Sequence, residues 1–270
     1  MHKVIIDESA SRIRERLTKI KRKILVLSNK GGVGKSSAAL SFAALLHAGG
    51  NKVGLLDIDM HGPSMAKMAG VEGRAPESDG KSIRPVEIKP GFTLMSMGSF
   101  LPESRKPVIW RGPMKMNVVK QFLADVVWGE LDYLIIDSPP GTGDEPLTIC
   151  QLIPCLSGGI IVTTGQDVAL LDSMKAVNFL KALSIPVLGV LENMAAFKCP
   201  HCAKDINLFK AGSGAAAAKE LGVPFLGSVP FDPAMVEAAD RGEIFALTRK
   251  ESDTVKALES AVEKVIKGFV

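Results

Sequence analysis

An apolar run, Ile24–Ser28, leads straight into Asn29-Lys30-Gly31-Gly32-Val33-Gly34-Lys35-Ser36-Ser37, and an apolar helical pattern over Lys35–His47 follows at once. No other stretch narrows the possible folds so far. Glycines in such a turn let backbone N–H groups converge on an anion with no Cβ in the way. A helix starting at Lys35 adds the positive end of its dipole. Lys35 can then reach β- and γ-phosphates, and the Ser36 hydroxyl can ligate Mg²⁺. The strand before and the helix after separate this loop from a chance Gly-Lys-Ser. They predict a site for ATP and Mg²⁺ built from Lys30, Gly31, Gly32, Val33, Gly34, Lys35, Ser36 and Ser37.

A phosphate loop of this kind belongs to a parallel sheet, and the rest of the chain agrees. Apolar runs at Val53–Asp57, Thr93–Met97, Tyr133–Asp137, Gly159–Thr164, Val187–Leu191 and Phe225–Ser228 alternate with helical patterns. Those patterns cover Met114–Trp128, Val168–Leu183, Gly214–Leu221 and about Ser252–Lys267. Continuous apolar strands between helices imply a sheet covered on both faces. Aromatics are only 5% of the chain, so Val, Ile, Leu and small residues must fill the core, which leans away from an all-β sandwich. The fold class is therefore α/β: a doubly wound, mainly parallel sheet of seven or eight strands with helices on both faces, a P-loop NTPase. The expected organisation is a basic, helical segment at 1–22 and a single ATPase domain at 23–270. The Gly70–Gly91 stretch, rich in Gly, Pro, Asp and Ser, reads as a surface crossing.

Two strands end in acids. Leu55-Leu56-Asp57-Ile58-Asp59 closes the second, where a carboxylate borders the crevice of a doubly wound sheet. Asp59 is expected to orient or deprotonate the attacking water, and Asp57 to support the Mg²⁺ shell. For each, a plain loop cap is the competing reading. Leu134-Ile135-Ile136-Asp137 is an apolar run closed by an acid, and Asp137 is expected to hold Mg²⁺ through water. Pro139-Pro140-Gly141-Thr142-Gly143-Asp144 follows, a loop in which Gly141 can sense a γ-phosphate through backbone N–H. Lys30, Lys35 and Asp59 form the expected catalytic set.

The KGGxGK[ST] pattern at Lys30–Ser36 resembles the deviant Walker A class, which includes the nitrogenase iron protein, the Min and Par ATPases and the arsenite ATPase. In that class the early lysine serves the partner's nucleotide across a dimer, so the resemblance implies that role for Lys30. Asn29 stands where the class usually has Gly. Asn tolerates left-handed backbone, so the loop is expected to survive. A closer likeness follows from Asp59-Met60-His61-Gly62-Pro63-Ser64, Trp110-Arg111-Gly112-Pro113-Met114, Leu131-Asp132-Tyr133 and Glu192-Asn193-Met194. With the loop at 139–144, they resemble the Mrp/ApbC family of iron–sulfur cluster carriers, from about Lys23 to about Glu243. That resemblance implies a slow ATPase acting as a homodimer, with Asn193 reading the adenine. It also implies a [4Fe–4S] cluster passed to apo iron–sulfur acceptor proteins, and a cluster-assembly scaffold as partner.

Cys199-Pro200-His201-Cys202 is a CxxC in a loop after a strand. Two thiols at this spacing can grip one metal, while a tetrahedral site or a four-iron cluster wants four ligands. A twofold dimer makes up the number. Spacing alone leaves three readings open: a redox dithiol, a structural zinc shared across a dimer, and an iron–sulfur cluster. The family resemblance favours the last and leaves zinc as the alternative, with His201 a spectator. Cys150 and Cys155 read as inert core residues.

The net charge of +4 is mild, and much of the excess lies in Arg12, Arg14, Arg16, Lys19, Lys21, Arg22 and Lys23. Such a helix could meet nucleic acid or anionic lipid. The plainer reading, a solvated face with Ile13, Leu17 and Ile20 packed inward, is favoured, so nucleic acid is not an expected partner. No run approaches the ~20 apolar residues of a membrane span, and the N-terminus lacks a signal peptide's apolar core. A cytoplasmic location is expected. The rival functions are a positioning ATPase acting on membrane or DNA, and a nucleotide-gated scaffold with structural zinc.

Overall fold

The computed structural model describes residues 8–59, 64–100, 112–199, 201–202, 204–206, 209 and 212–269. Of the motifs above, Met60, His61, Gly62, Pro63, Trp110, Arg111 and Pro200 lie outside the described residues. The elements run α1 (Glu8–Thr18), β1 (Ile20–Leu27), α2 (Lys35–Ala48), β2 (Val53–Asp57), α3 (Met65–Met68), β3 (Glu77–Ser78) and β4 (Ile83–Arg84). Next come β5 (Val86–Lys89), β6 (Phe92–Ser96), a 3-10 turn (Met97–Phe100), α4 (Gly112–Asp125), β7 (Leu131–Asp137), α5 (Asp144–Leu152) and β8 (Gly158–Thr164). The chain closes with α6 (Asp167–Ala182), β9 (Val187–Lys198), β10 (Asp205–Ile206), α7 (Ser213–Leu221), β11 (Phe225–Phe231), α8 (Pro233–Asp240), α9 (Phe245–Thr248) and α10 (Asp253–Lys267).

Seven of the strands pair in parallel in the order β11-β9-β8-β1-β7-β2-β6. Two antiparallel additions complete the sheet among the described residues: β5 on the β6 edge, and the two-residue β10 against the far end of β9. All seven parallel strands overlap the apolar runs read from the sequence. From β1 the chain winds one way through β8, β9 and β11 and the other through β7, β2 and β6. The crevice between those directions is where a doubly wound sheet binds its ligand.

Strand alternation sends side chains to two separate cores. Ile24 and Val26 of β1 join Val53, Leu55 and Ile135 beneath α2, α9 and α10. Leu25 and Leu27 join Leu56, Leu134 and Ile136 beneath α1, α4, α5 and α6. Helix α2 is buried from Ala38 to Leu46 because the sheet lies on one side and α9 and α10 on the other. That is the setting an all-round apolar helix needs.

On α1, Ile13 and Leu17 are buried, while Arg12 reaches out to Asp125 Oδ1 at 2.5 Å. The basic stretch is thus a solvated face over a packed stripe, with Lys23 the exception. Its ammonium is buried, donates to the carbonyls of Leu17 (3.2 Å) and Ile20 (3.3 Å), and is held below its usual pKa by that burial. Strand β1 starts at Ile20, four residues before the apolar run, because pairing of Ile20 with Leu131 needs no apolar side chains at Lys21 and Arg22. The Gly70–Gly91 stretch is less irregular than its composition suggested. Pairing with β6 recruits Val86–Lys89, and Glu77–Ser78 closes on Ile83–Arg84.

Candidate nucleotide site and thiol pair

Register brings the acids together. Asp57 pairs with Asp137 across β2 and β7, and Asp57 with Ser96 across β2 and β6, so the three form one row at the C-terminal edge. The phosphate loop rises beside them from β1. Lys35 Nζ lies 2.5 Å from Asp137 Oδ1 and 3.9 Å from Asp59 Oδ2. Ser36 Oγ donates to Asp137 Oδ2 at 2.6 Å. Ser96 Oγ donates to Asp57 Oδ2 at 2.7 Å, and the Asp59 backbone N–H to Asp57 Oδ1 at 3.0 Å. The loop, Asp59, Ser64, Met68 and Pro140 enclose a cavity of 210 Å³. Its two lysines, Lys30 and Lys35, and its glycine backbone suit an anionic ligand.

Burial sets the charge balance here. Asp57 is 1% exposed, and desolvation, reinforced by the neighbouring Asp137 charge, pushes its carboxyl up to about 7. Asp137 is also raised by burial, against the pull of Lys35 and its hydrogen bonds. A carboxyl raised on folding makes the native state bind more protons than the unfolded one. Its contribution to stability is present below about pH 4 and is lost as pH rises through about 7. The Asp57→Asn variant should therefore melt higher than wild type at about pH 8, by roughly 2–4 kcal/mol, and close to it at about pH 4. Paired thermal melts across that range check the prediction.

Gly34 cannot be exchanged cheaply. Its φ of +80° is left-handed, and a Cβ there would collide with the Asn193 side-chain amide. Asn193 itself donates from Nδ2 to the Val33 carbonyl at 2.9 Å. Lys30 lies at the surface with Nζ 3.4 Å from Gln166 Oε1. The Gly141 N–H donates to the Ser28 carbonyl at 2.8 Å, which anchors the loop after β7 against the phosphate loop. Asn29 does not use its tolerance of left-handed backbone: among the described residues the non-glycine positions with positive φ are Cys155, Ser184 and Met194. Instead its amide donates to Asp172 Oδ1 at 2.6 Å, tying the loop to α6.

Cys199 lies at most about 20 Å along the chain from Asn193, by roughly 3.3 Å per residue over six residues. Cys199, His201 and Cys202 stand between β9 and β10, where the Cys199 N–H donates to the Lys204 carbonyl at 2.9 Å. Cys199 is half-buried and Cys202 exposed. The His201 backbone N–H, then the N–H and thiol of Cys202, hold the Cys199 thiol below its ordinary pKa. Burial pushes Cys150 up to about 11. At about pH 8 roughly one Cys150 in a thousand is then thiolate. Iodoacetamide should accordingly modify Cys199 roughly 100-fold faster than Cys150, read by mass spectrometry of tryptic peptides. Cys155, expected in the core, is exposed; a left-handed φ of 53° in the turn before β8 turns it outward. Among the described residues no group of three or more His, Cys, Asp or Glu is arranged to hold a metal ion.

A family model described as ParA, NUBPL iron-transfer P-loop NTPase matches residues 19–266. The chain belongs to that family. The iron–sulfur cluster carrier protein of Methanocaldococcus jannaschii is 48% identical over 267 residues, covering 98% of this chain and 92% of the relative. A cytosolic Fe-S cluster assembly factor NUBP2 homologue from Nematostella vectensis is 45% identical, covering 92% and 94%. Among solved structures, a nucleotide-binding protein from Archaeoglobus fulgidus in complex with ADP superposes with a TM-score of 0.77 at 36% identity, covering 87% of this chain and 92% of that one. The Pyrococcus furiosus cell-division ATPase MinD shares the fold, with a TM-score of 0.64 at 23% identity over 92% and 99% of the two chains.

Two residues of this family member escaped the sequence reading. Ser96 holds Asp57 from the neighbouring strand, and no motif announces a serine 39 positions away. Glu192 is 1% exposed and fully hydrogen-bonded. It stands in the Glu192-Asn193-Met194 motif, where only Asn193 had been given a role.

Proposed function

We propose that this protein is an ATP-dependent carrier that binds a [4Fe–4S] cluster between two copies of itself and delivers it to apo-proteins. The observation carrying this reading is the joining of a nucleotide cavity and an outward thiol pair by one strand, with two thiols per chain where a four-iron cluster asks for four. The oxygens of Ser36 and Asp137, with Asp57 behind them, suit Mg²⁺, a hard cation that keeps several waters. Bound there, it would neutralise phosphate charge. Lys35 would leave Asp137 for the phosphates, Asp59 would orient the attacking water, and Gly31, Gly32, Val33, Gly34 and Ser37 would line the phosphates. Gly141 would report the γ-phosphate. Lys30, exposed at the loop's rim, would serve the nucleotide of the second copy. For Asn193 to read adenine, its amide must share or release Val33. Turnover is expected to be slow and the location cytoplasmic, with cluster acceptors and an assembly scaffold as partners.

Membrane positioning, the main rival, asks for a closing helix with a free apolar face. Here Val255, Leu258, Ala261, Val262 and Val265 of α10 are buried in the core, and no helix among the described residues is long and apolar enough to cross a membrane. The test is metal analysis after anaerobic reconstitution. About four irons and four sulfides per two chains are expected. Zinc without sulfide would sink the carrier reading and leave an ATPase with a structural metal.

A further inference from the structure

Strand β9 is held unevenly along its length. On one side its pairing with β8 ends at Thr163–Glu192 and Thr164–Asn193. Beyond that point it runs on to Lys198 paired, among the described residues, only with β11 and the two-residue β10. Met194, the first residue past the end of β8, has a left-handed φ of 55°. The register with β11 also slips, between Val229 and Phe231. The outer end of β9, which leads into Cys199, thus runs past β8 as an arm with a bend at its root, tied to α10 by Lys198 Nζ on Asp253 Oδ2 at 3.0 Å.

Three consecutive residues meet at that root. Asn193 donates to the Val33 carbonyl of the phosphate loop. The Met194 side chain abuts Gly34, where a Cβ would stand 3.4 Å from its methyl carbon. Glu192 turns to the opposite side. Its Oε1 accepts from Ser213 Oγ at 3.2 Å and from the Gly214 backbone N–H at 3.0 Å, and its Oε2 accepts from Ser228 Oγ at 2.6 Å. Ser213 and Gly214 begin α7, the first helix after the thiol turn. The excursion that bears the cysteines therefore leaves from β9 and returns onto Glu192. A Cβ at Gly214 would fall 2.7 Å from the Glu192 Cβ, so helix and strand are in close contact there.

We propose that Glu192 is a positioning residue for the Cys199–Cys202 turn. It clamps β9 where the strand passes the end of β8, so that a displacement of the phosphate loop, carried through Asn193, swings the thiol arm instead of dissipating between β8 and β11. The purpose of this motion rests on the carrier reading, since it would make the hold on a cluster depend on the nucleotide. The coupling itself does not need a cluster.

The experiment follows the alkylation rate of Cys199 by mass spectrometry in the reduced, metal-free full chain, with and without a non-hydrolysable ATP analogue and Mg²⁺. In wild type the analogue should change the rate about fivefold, a modest coupling. Glu192→Ala should bind the analogue within about twofold of wild type by calorimetry and yet lose that response. Glu192→Gln should restore it, because the amide can accept from Ser213 and Gly214 and donate to Ser228. A merely structural Glu192 would lower the melting temperature and leave the ratio of rates intact. Should Glu192→Ala fail to fold, Ser228→Ala removes a single bond and should still shrink the response. A wild-type rate indifferent to the analogue, or a full response in the folded Ala variant, overturns the proposal. Iron and sulfide content is read separately, so zinc in place of a cluster would remove the carrier reading and leave this coupling standing.

Discussion

Replacing Lys35 by alanine is expected to lower ATP hydrolysis by roughly 10²–10³-fold, the loss that follows removal of one well-placed charge donor at a reacting centre. The side chain is 7% exposed and lies among Asp137 and Asp59. Without it the carboxylates of Asp57, Asp59 and Asp137 face one another and the phosphates with no lysine between them. Breaking a buried ion pair from one side costs about 3–5 kcal/mol when the partner stays charged. Here burial already raises Asp137, so that carboxyl can take a proton and the stability loss should be smaller. Steady-state phosphate release and a thermal melt separate the two effects. Hydrolysis within a few-fold of wild type in a folded variant would remove Lys35 from the catalytic set.

The Cys199→Ser/Cys202→Ser variant is expected to lose its iron and sulfide while ATP binding stays close to wild type. The thiol turn is a surface hairpin whose closing bond, Cys199 N–H to the Lys204 carbonyl, is backbone and survives the exchange. Serine is nearly isosteric, so little packing changes. What disappears is thiolate character, which the backbone donors around Cys199 favour and a hydroxyl cannot supply. With two ligands per chain removed, a dimer-bridging cluster has nothing to hold it. Iron and sulfide assays on the reconstituted variant check the first half and nucleotide titration the second. Retained iron and sulfide would move the site elsewhere in the chain.

The two halves of the candidate site were unequally legible. The phosphate loop could be read because its chemistry is local: glycines, a lysine and a serine in consecutive positions between a strand and a helix. Strand-end acids were legible for a similar reason, since a run such as Leu134-Ile135-Ile136-Asp137 states both its burial and its end. At Asn29 the loop forms as expected, but the side chain answers to Asp172, 143 residues away, which no local pattern announces. Cys155 misled because apolar neighbours in sequence say nothing about a single left-handed residue that turns the side chain outward. Helices α3, α5, α8 and α9 were missed, being short; α8 packs on α3 and α9 on α2, contacts that periodicity does not announce.

Periodicity and motif chemistry therefore determined, from the sequence by itself, a parallel α/β sheet, the identity of the phosphate loop and the existence of a thiol pair. Tertiary structure alone decided which strands are neighbours, and with that the row of Ser96, Asp57 and Asp137, the clamp of Glu192 on α7 and β11, and the hold of Asn193 on Val33. The physical reason is range. Turn conformation and alternation act between residues a few positions apart, whereas a hydrogen bond across the sheet depends on register set by the whole packed core.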